Sequence, residues 1–216
     1  MAKTLTPQAQ RLKDLIDFDK RVYFLILVFL YLLIRYLTNS FIIESIPDAD
    51  RLESDGSLMI FHIFNALNYL WTPFALLWKF TVISFLFWLG AFMLGYKDPY
   101  RELWQFALIA EIIFVFPELI RLLVFLNPTT GTTYLEIQEY RALSLLSLIG
   151  PNQVSGQYHY VLATINVFEI IYGIVWVFGF HMISRRPFGE CALVVAVSYF
   201  LPLVIWLSWF VMVYRG

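Results

Sequence analysis

Five long apolar runs dominate the chain, at roughly 22–43, 72–96, 103–126, 160–183 and 191–214, with short polar stretches between them. A transmembrane helix needs about 20 mostly apolar residues, because ~30 Å of hydrocarbon is crossed at about 1.5 Å per residue. Each run meets that length. Inside lipid only a helix satisfies its own backbone hydrogen bonds without closing into a barrel, and a barrel would show alternating segments of about ten residues instead of continuous runs. The pattern predicts an all-α polytopic transmembrane helix bundle of about five spans, decorated by short amphipathic interfacial helices. The first run is too long for a signal-peptide core, and no small-x-small cleavage site follows Asn39, so it reads as an uncleaved anchor.

The polar stretches carry structure of their own. Thr6 to Lys20 reads as a short helix, with Thr6 as cap, Pro7 at its first position and Leu12, Leu15 and Ile16 on one face. Residues 1–21 then form a cytoplasmic amphipathic segment and 22–216 a single membrane domain. Glu44 to Asp55 is an acidic loop broken by Pro47 and Gly56. The segment 58–71 is too short to span, and His62, Asn65, Asn68 and Tyr69 line one face of it. It predicts an interfacial or re-entrant helix that leads through Pro73 into the second span. In the loop 127–158, Thr133 and Glu136 make a capping-box pattern and Gly150-Pro151 a stop. Leu143, Leu145, Leu146, Leu148 and Ile149 are apolar enough to lie on the membrane or on the bundle.

Composition agrees with lipid as the solvent. Hydrophobic residues make up 60% of the 216 and charged residues 14%, against roughly 45–50% and 25% in soluble domains. A net charge of −1 gives no basic field for nucleic acid. The single cysteine, Cys191, excludes an internal disulfide and reads as a small lipid-buried residue. No ligand spacing for a metal and no cofactor motif is present. Basic residues outside the spans set the expected orientation. Lys3, Arg11, Lys13, Lys20, Arg21, Lys97, Arg101, Arg185 and Arg186 fall on one side, against Arg51, Arg141 and Arg215 on the other. The positive-inside rule then predicts a cytoplasmic N-terminus and an external C-terminus.

Six charges stand inside the spans: Arg35, Lys79, Glu111, Glu118, Arg121 and Glu169. Each costs roughly 2.5–3.5 kcal/mol at mid-membrane on insertion scales, so such residues face the bundle interior and find partners. At about 1.5 Å per residue, Arg35, Lys79, Glu118 and Arg121 lie about 5–12 Å from the outer boundary and Glu169 about 14 Å below it, with Glu111 nearer the middle. Glu118 and Arg121 can pair at i, i+3, and Asn166, Glu169, Gly173 and Trp176 share a stripe. This predicts a polar cluster in the outer half. Two readings stand open: a lock between helices with the cations snorkelling outward, or an ion, proton or lipid-headgroup site with Glu111 or Glu169 titrating. His181, near the inner end of the fourth span, reads as an interfacial residue.

From the second span onward the chain resembles the bacterial branch of the Ypt-interacting-protein (Yip) domain family. The features that carry this are Leu94-Gly-Tyr-Lys-Asp-Pro-Tyr100 and Phe116-Pro-Glu-Leu-Ile120. Further along come Ile165-Asn-Val-Phe-Glu169 with Gly173 and Gly179, then Ser184-Arg-Arg-Pro-Phe188 before Cys191-Ala-Leu-Val-Val-Ala-Val197. The resemblance implies five spans, a cytoplasmic N-terminus, no catalytic motif and a bacterial inner-membrane location. Eukaryotic members bind Rab-type GTPases through a long N-terminal region, which is here reduced to about 20 residues.

Nucleotide loops, His-Glu-x-x-His and Gly-x-Ser-x-Gly are missing from the sequence. The leading expectation is a non-enzymatic scaffold, accessory or assembly subunit that meets the lipid bilayer and other membrane proteins or further copies of itself. The alternative is a small ion or solute transporter or channel, working as an oligomer through Glu111 and Glu169, with Pro117 breaking the third span.

Overall fold

The computed structural model describes residues 19–44, 58–126 and 140–214. The predicted N-terminal helix, the acidic loop and the Thr133–Glu136 cap lie outside the described residues. Within them the protein is a helical bundle with no strand; its one β-type contact is an isolated bridge between Ser144 and Asn166. The elements are α1 (Lys20–Glu44), α2 (Leu58–Met93), α3 (Tyr100–Ala110), a 3-10 turn (Glu111–Phe114) and α4 (Val115–Val124). Then follow α5 (Leu145–Ile149), α6 (His159–Thr164), α7 (Val167–Ser184), α8 (Phe188–Val195), a π turn (Ala196–Phe200) and α9 (Leu201–Val213), with two 3-10 turns between α5 and α6.

Among the described residues, four helices are long and apolar enough to cross a membrane: Lys20–Ser40, His62–Met93, Val167–Ser184 and Phe188–Val213. The third of the five apolar runs is the one that does not form a single helix of that length. The third run, Tyr100 to Val124, is divided into α3, the 3-10 turn and α4. Pro117 supplies the cause: it has no N–H to offer the carbonyl of Ile113, and its ring crowds that carbonyl, so the preceding turn tightens. The Val115 N–H accordingly reaches back only three residues, to Ile112 O.

Three boundaries also differ from the expectation. The segment 58–71 is no separate interfacial or re-entrant helix; it is the first part of the 36-residue α2. That helix is about 54 Å long, well beyond the hydrocarbon thickness, and runs unbroken through Pro73. The chain does not reverse there. The fourth run divides at Ile165 and Asn166, so its span starts at Val167 instead of Tyr160. In the fifth run Pro202 deprives Ser198 of its i+4 partner, and the backbone widens into the π turn Ala196–Phe200.

Lipid tails are as apolar as leucine, so these helices associate by close packing more than by hydrophobic burial. Glycines mark the tightest approaches. Gly90 on α2 lies against Ser198, Gly173 on α7 against the Phe200 ring, and Gly179 against the Phe106 ring. Around these contacts Phe87 stacks on Trp176 at 3.7 Å between ring centroids, and Phe106 meets Trp176 edge-on at 5.0 Å. Phe80, Leu103, Tyr172, Phe180 and Val194 are fully buried in the same core. Phe29, Trp78, Met93 and Ile170 face outward.

The connection before α7 docks on the bundle. Ser144 caps α5 by accepting from the Ser147 N–H at 3.1 Å. The Leu145 N–H donates to Ile165 O at 3.0 Å, and the Val167 N–H to Leu143 O at 3.2 Å. Ala142 and Leu146 are buried while Leu148 stays exposed, so this segment rests one side on the protein. Gly150, with φ of 96°, ends α5 where the Gly-Pro pair predicted a stop.

Candidate functional site

The broken third run places Glu111. It is the first residue of the 3-10 turn, 1% exposed, and its side chain points into the bundle. One carboxylate oxygen, Oε1, accepts from Lys79 Nζ at 2.7 Å and from the Tyr31 hydroxyl at 3.2 Å. The other, Oε2, is buried without a hydrogen-bond partner among the described residues. Lys79 also sits over the Phe114 ring, 3.8 Å from its centroid. Three helices therefore meet at this carboxylate: α1 through Tyr31, α2 through Lys79, and the break between α3 and α4. The Tyr23 hydroxyl reinforces that break by donating to Ile109 O at 3.2 Å.

Glu169 is placed by a helix cap. Asn166 accepts from the Glu169 N–H at 3.0 Å, which fixes the first turn of α7 and turns the Glu169 side chain inward. There its Oε2 accepts a short hydrogen bond from the Tyr199 hydroxyl, carried by the π turn. Glu118 pairs with Arg121 at 2.6 Å on α4, as the i, i+3 spacing predicted. Arg35, on α1, has no carboxylate within ion-pair distance among the described residues.

One cavity of about 1210 Å³ gathers these groups. Arg35, Lys79, Glu111, Glu118 and Glu169 line its wall, and Arg121 is tied to that wall through Glu118. Arg141, Asn68, Gln157 and His159 add polar lining, and Trp71, Leu76, Phe114 and Phe210 add apolar lining. Five of the six charges singled out from the sequence thus line one compartment, with Arg121 paired to one of them, at the end of the bundle where α1 finishes and α7 begins.

Tyr31, Tyr199 and Arg141 escaped the sequence reading. A tyrosine in an apolar run gives no sign of bonding a carboxylate on another helix. Arg141 counted only as a loop charge. The Asn166 cap did leave a signal, since Asn-x-x-Glu is the spacing of a helix start.

A second polar group ties two turns at the opposite end. Arg186 donates to Glu190 Oε2 at 3.1 Å, as does the Tyr96 hydroxyl at 3.1 Å, and the Arg186 guanidinium lies 3.8 Å above the Tyr96 ring. Asp98 Oδ2 is buried beside them without a partner among the described residues, and burial holds its carboxyl above the usual carboxylate range. His181 joins this turn, contacting Arg186 O and stacking on Phe188 with centroids 4.1 Å apart. Cys191, read from the sequence as a small lipid-buried residue, packs among protein side chains. It is fully buried inside the bundle, where its thiol donates to Arg186 O at 3.6 Å.

No group of three His, Cys, Asp or Glu side chains arranged to hold a metal ion occurs among the described residues. No protein-family profile, curated protein or solved structure matches the chain.

Proposed function

We propose that this membrane protein works without catalysis, by binding a small charged ligand in its intramembrane cavity, as a carrier-type transporter does. One observation carries the reading: charges that each disfavour lipid by several kcal/mol are collected around a cavity far larger than packing requires. A structural lock accounts for the Lys79–Glu111 and Glu118–Arg121 contacts but not for a volume of that size beside them. The Lys79–Glu111 pair beside a proline-broken helix is the arrangement expected at a binding site, because irregular backbone at membrane depth is tolerated where it lines a cavity. The five-span count, the cytoplasmic N-terminus, the inner-membrane location and the kinship with the Yip domain family belong to this proposal. They are supported by the distribution of basic residues and by the motifs quoted above.

The accessory-subunit reading draws on a different observation. The first third of α2 extends beyond what a bilayer needs and presents Met59, Ile63, Phe64 and Leu67 outward. Native mass spectrometry of the tagged chain, released from nanodiscs made directly from its membrane, separates the two. A small molecule held stoichiometrically by the chain or its homo-oligomer supports the carrier reading. A stoichiometric foreign subunit on a ligand-free chain supports the accessory reading and overturns the first.

A further inference from the structure

Two buried polar atoms in the bundle lack the partner their chemistry calls for. Glu111 Oε2 accepts from no donor among the described residues, although Lys79 and Tyr31 both donate to Oε1. The hydroxyl of Tyr172, on α7, is likewise unpartnered among them, and the whole side chain is buried. The two residues lie within electrostatic range of each other. A buried carboxylate oxygen without a donor is costly, and a proton bound there removes both the missing donor and the charge.

Oε2 is closed to solvent, so its proton must come through neighbouring side chains. Glu169 supplies the opening: it lines the cavity, and its Oε2 accepts from the Tyr199 hydroxyl. The Tyr199 ring packs beside that of Tyr172, with centroids 5.2 Å apart. Glu169, Tyr199, Tyr172 and Glu111 thus form a row from the cavity wall to the closed oxygen. The other groups that face Glu111 are Tyr23 and Tyr31 from α1 and Lys79 from α2, with Glu118 of α4 in range of Tyr31. Rows of ionisable side chains at membrane depth are what proton paths are built from.

We propose that Glu111 Oε2 is an exchangeable proton site, loaded from the cavity through Glu169, Tyr199 and Tyr172. A proton taken up by Glu169 passes to the Tyr199 oxygen as Tyr199 gives its own hydroxyl proton to Tyr172. Tyr172 in turn gives its hydroxyl proton to Glu111 Oε2. Glu169 ends as a carboxylate, both tyrosines end neutral, and one O–H bond has formed on Glu111. This deepens the ligand-site reading by naming the proton as an ion the cavity exchanges, and it rests on that cavity being open to water.

The test is infrared spectroscopy of the full-length protein in nanodiscs, with pH stepped and light water exchanged for heavy water. As pH falls, a protonated-carboxyl C=O band should appear. Glu111→Gln should lose it, and Glu111→Asp should shift its frequency, which serves if Glu111→Gln fails to fold. Tyr172→Phe and Glu169→Gln should each keep the band but slow its deuterium shift about 100-fold, the lower end of what a positioned proton-transfer group contributes. Tyr36→Phe, exposed on α1, should exchange as wild type does. Absence of any carboxyl band that responds to substitution of Glu111 overturns the site. An unchanged deuterium shift in either Tyr172→Phe or Glu169→Gln overturns the route, and the proposal with it. No solute is added, so the result is independent of the native mass spectrometry. A bound solute there with no Glu111 band here sinks this inference and leaves the ligand-site reading standing; a Glu111 band with a ligand-free chain does the reverse.

Discussion

Glu111 concentrates the physics of this protein in one side chain. A carboxylate that is 1% exposed retains its charge only through partners, and here Lys79 and Tyr31 share one oxygen. Removing one member of a buried ion pair leaves the other charge uncompensated, at about 3–5 kcal/mol in fully buried cases. The Lys79 side chain is 37% exposed toward the cavity, so Lys79→Met should destabilise by less, about 1–3 kcal/mol. Adding Glu111→Gln should recover most of that loss, because the stranded charge is gone; thermal unfolding in nanodiscs reads both variants. Asp98 offers a pH test at the opposite end. Burial raises its folded-state pKa, so the protonated acid is favoured in the fold. Stability from this group is fully present below the ordinary carboxylate pKa and is lost as pH rises through the raised one. Wild-type melting temperature should therefore fall across that window. Asp98→Asn, neutral throughout, should flatten the profile and match or exceed wild type at neutral pH.

At the scale of elements, the apolar runs of the sequence foretold where helices lie, and single residues decided where they break. Span one, expected at 22–43, is observed as Lys20–Glu44, because nothing in that run interrupts a helix. Pro117 announced a break, but its position relative to Glu111 became meaningful only once the 3-10 turn was seen to start at that carboxylate. Pro117→Ala restores a donor to Ile113 O, and hydrogen exchange should show a newly protected amide at position 117. The same variant should weaken the Lys79–Glu111 contact, since straightening the run turns Glu111 away. Pro202 went unread, because a proline near the middle of a long apolar run predicts a kink no better than a π turn. Pro73 was expected to join a short interfacial or re-entrant helix to the second span, and α2 continues through it as one helix. Proline inside lipid is tolerated when neighbouring groups cover the freed carbonyl. The Thr72 hydroxyl donates to Asn68 O at 2.8 Å beside it. The glycines are stricter: Gly179→Ala would press a methyl into the Phe106 ring and should cost about 1–3 kcal/mol in unfolding, or lower the folded yield.

For the molecule as a whole, the sequence disclosed the solvent and the residues in the wrong solvent, and the fold disclosed what they surround. Arg35, Lys79, Glu111, Glu118, Arg121 and Glu169 are named by hydropathy alone, since each is an ionisable group in an apolar run. That they enclose a cavity was not legible, because volume depends on how α1, α2, α4 and α7 are spaced, and no one-dimensional pattern carries that spacing. The Tyr199–Glu169 bond joins positions 30 apart and needs both the Asn166 cap and the π turn to form. The proposed function requires that water and small solutes reach this cavity from the side of the membrane opposite the turn at Lys97. Cysteine labelling tests it most directly in a Cys191→Ala background, with Ala75→Cys and Ala163→Cys on the cavity wall, Ala107→Cys in the core and Lys97→Cys at the opposite turn. A membrane-impermeant thiol reagent added outside intact cells should label positions 75 and 163, leave 107 unmodified, and reach 97 only after the membrane is opened. Protection of both cavity positions, with 97 labelled from outside, would contradict both the accessible cavity and the orientation.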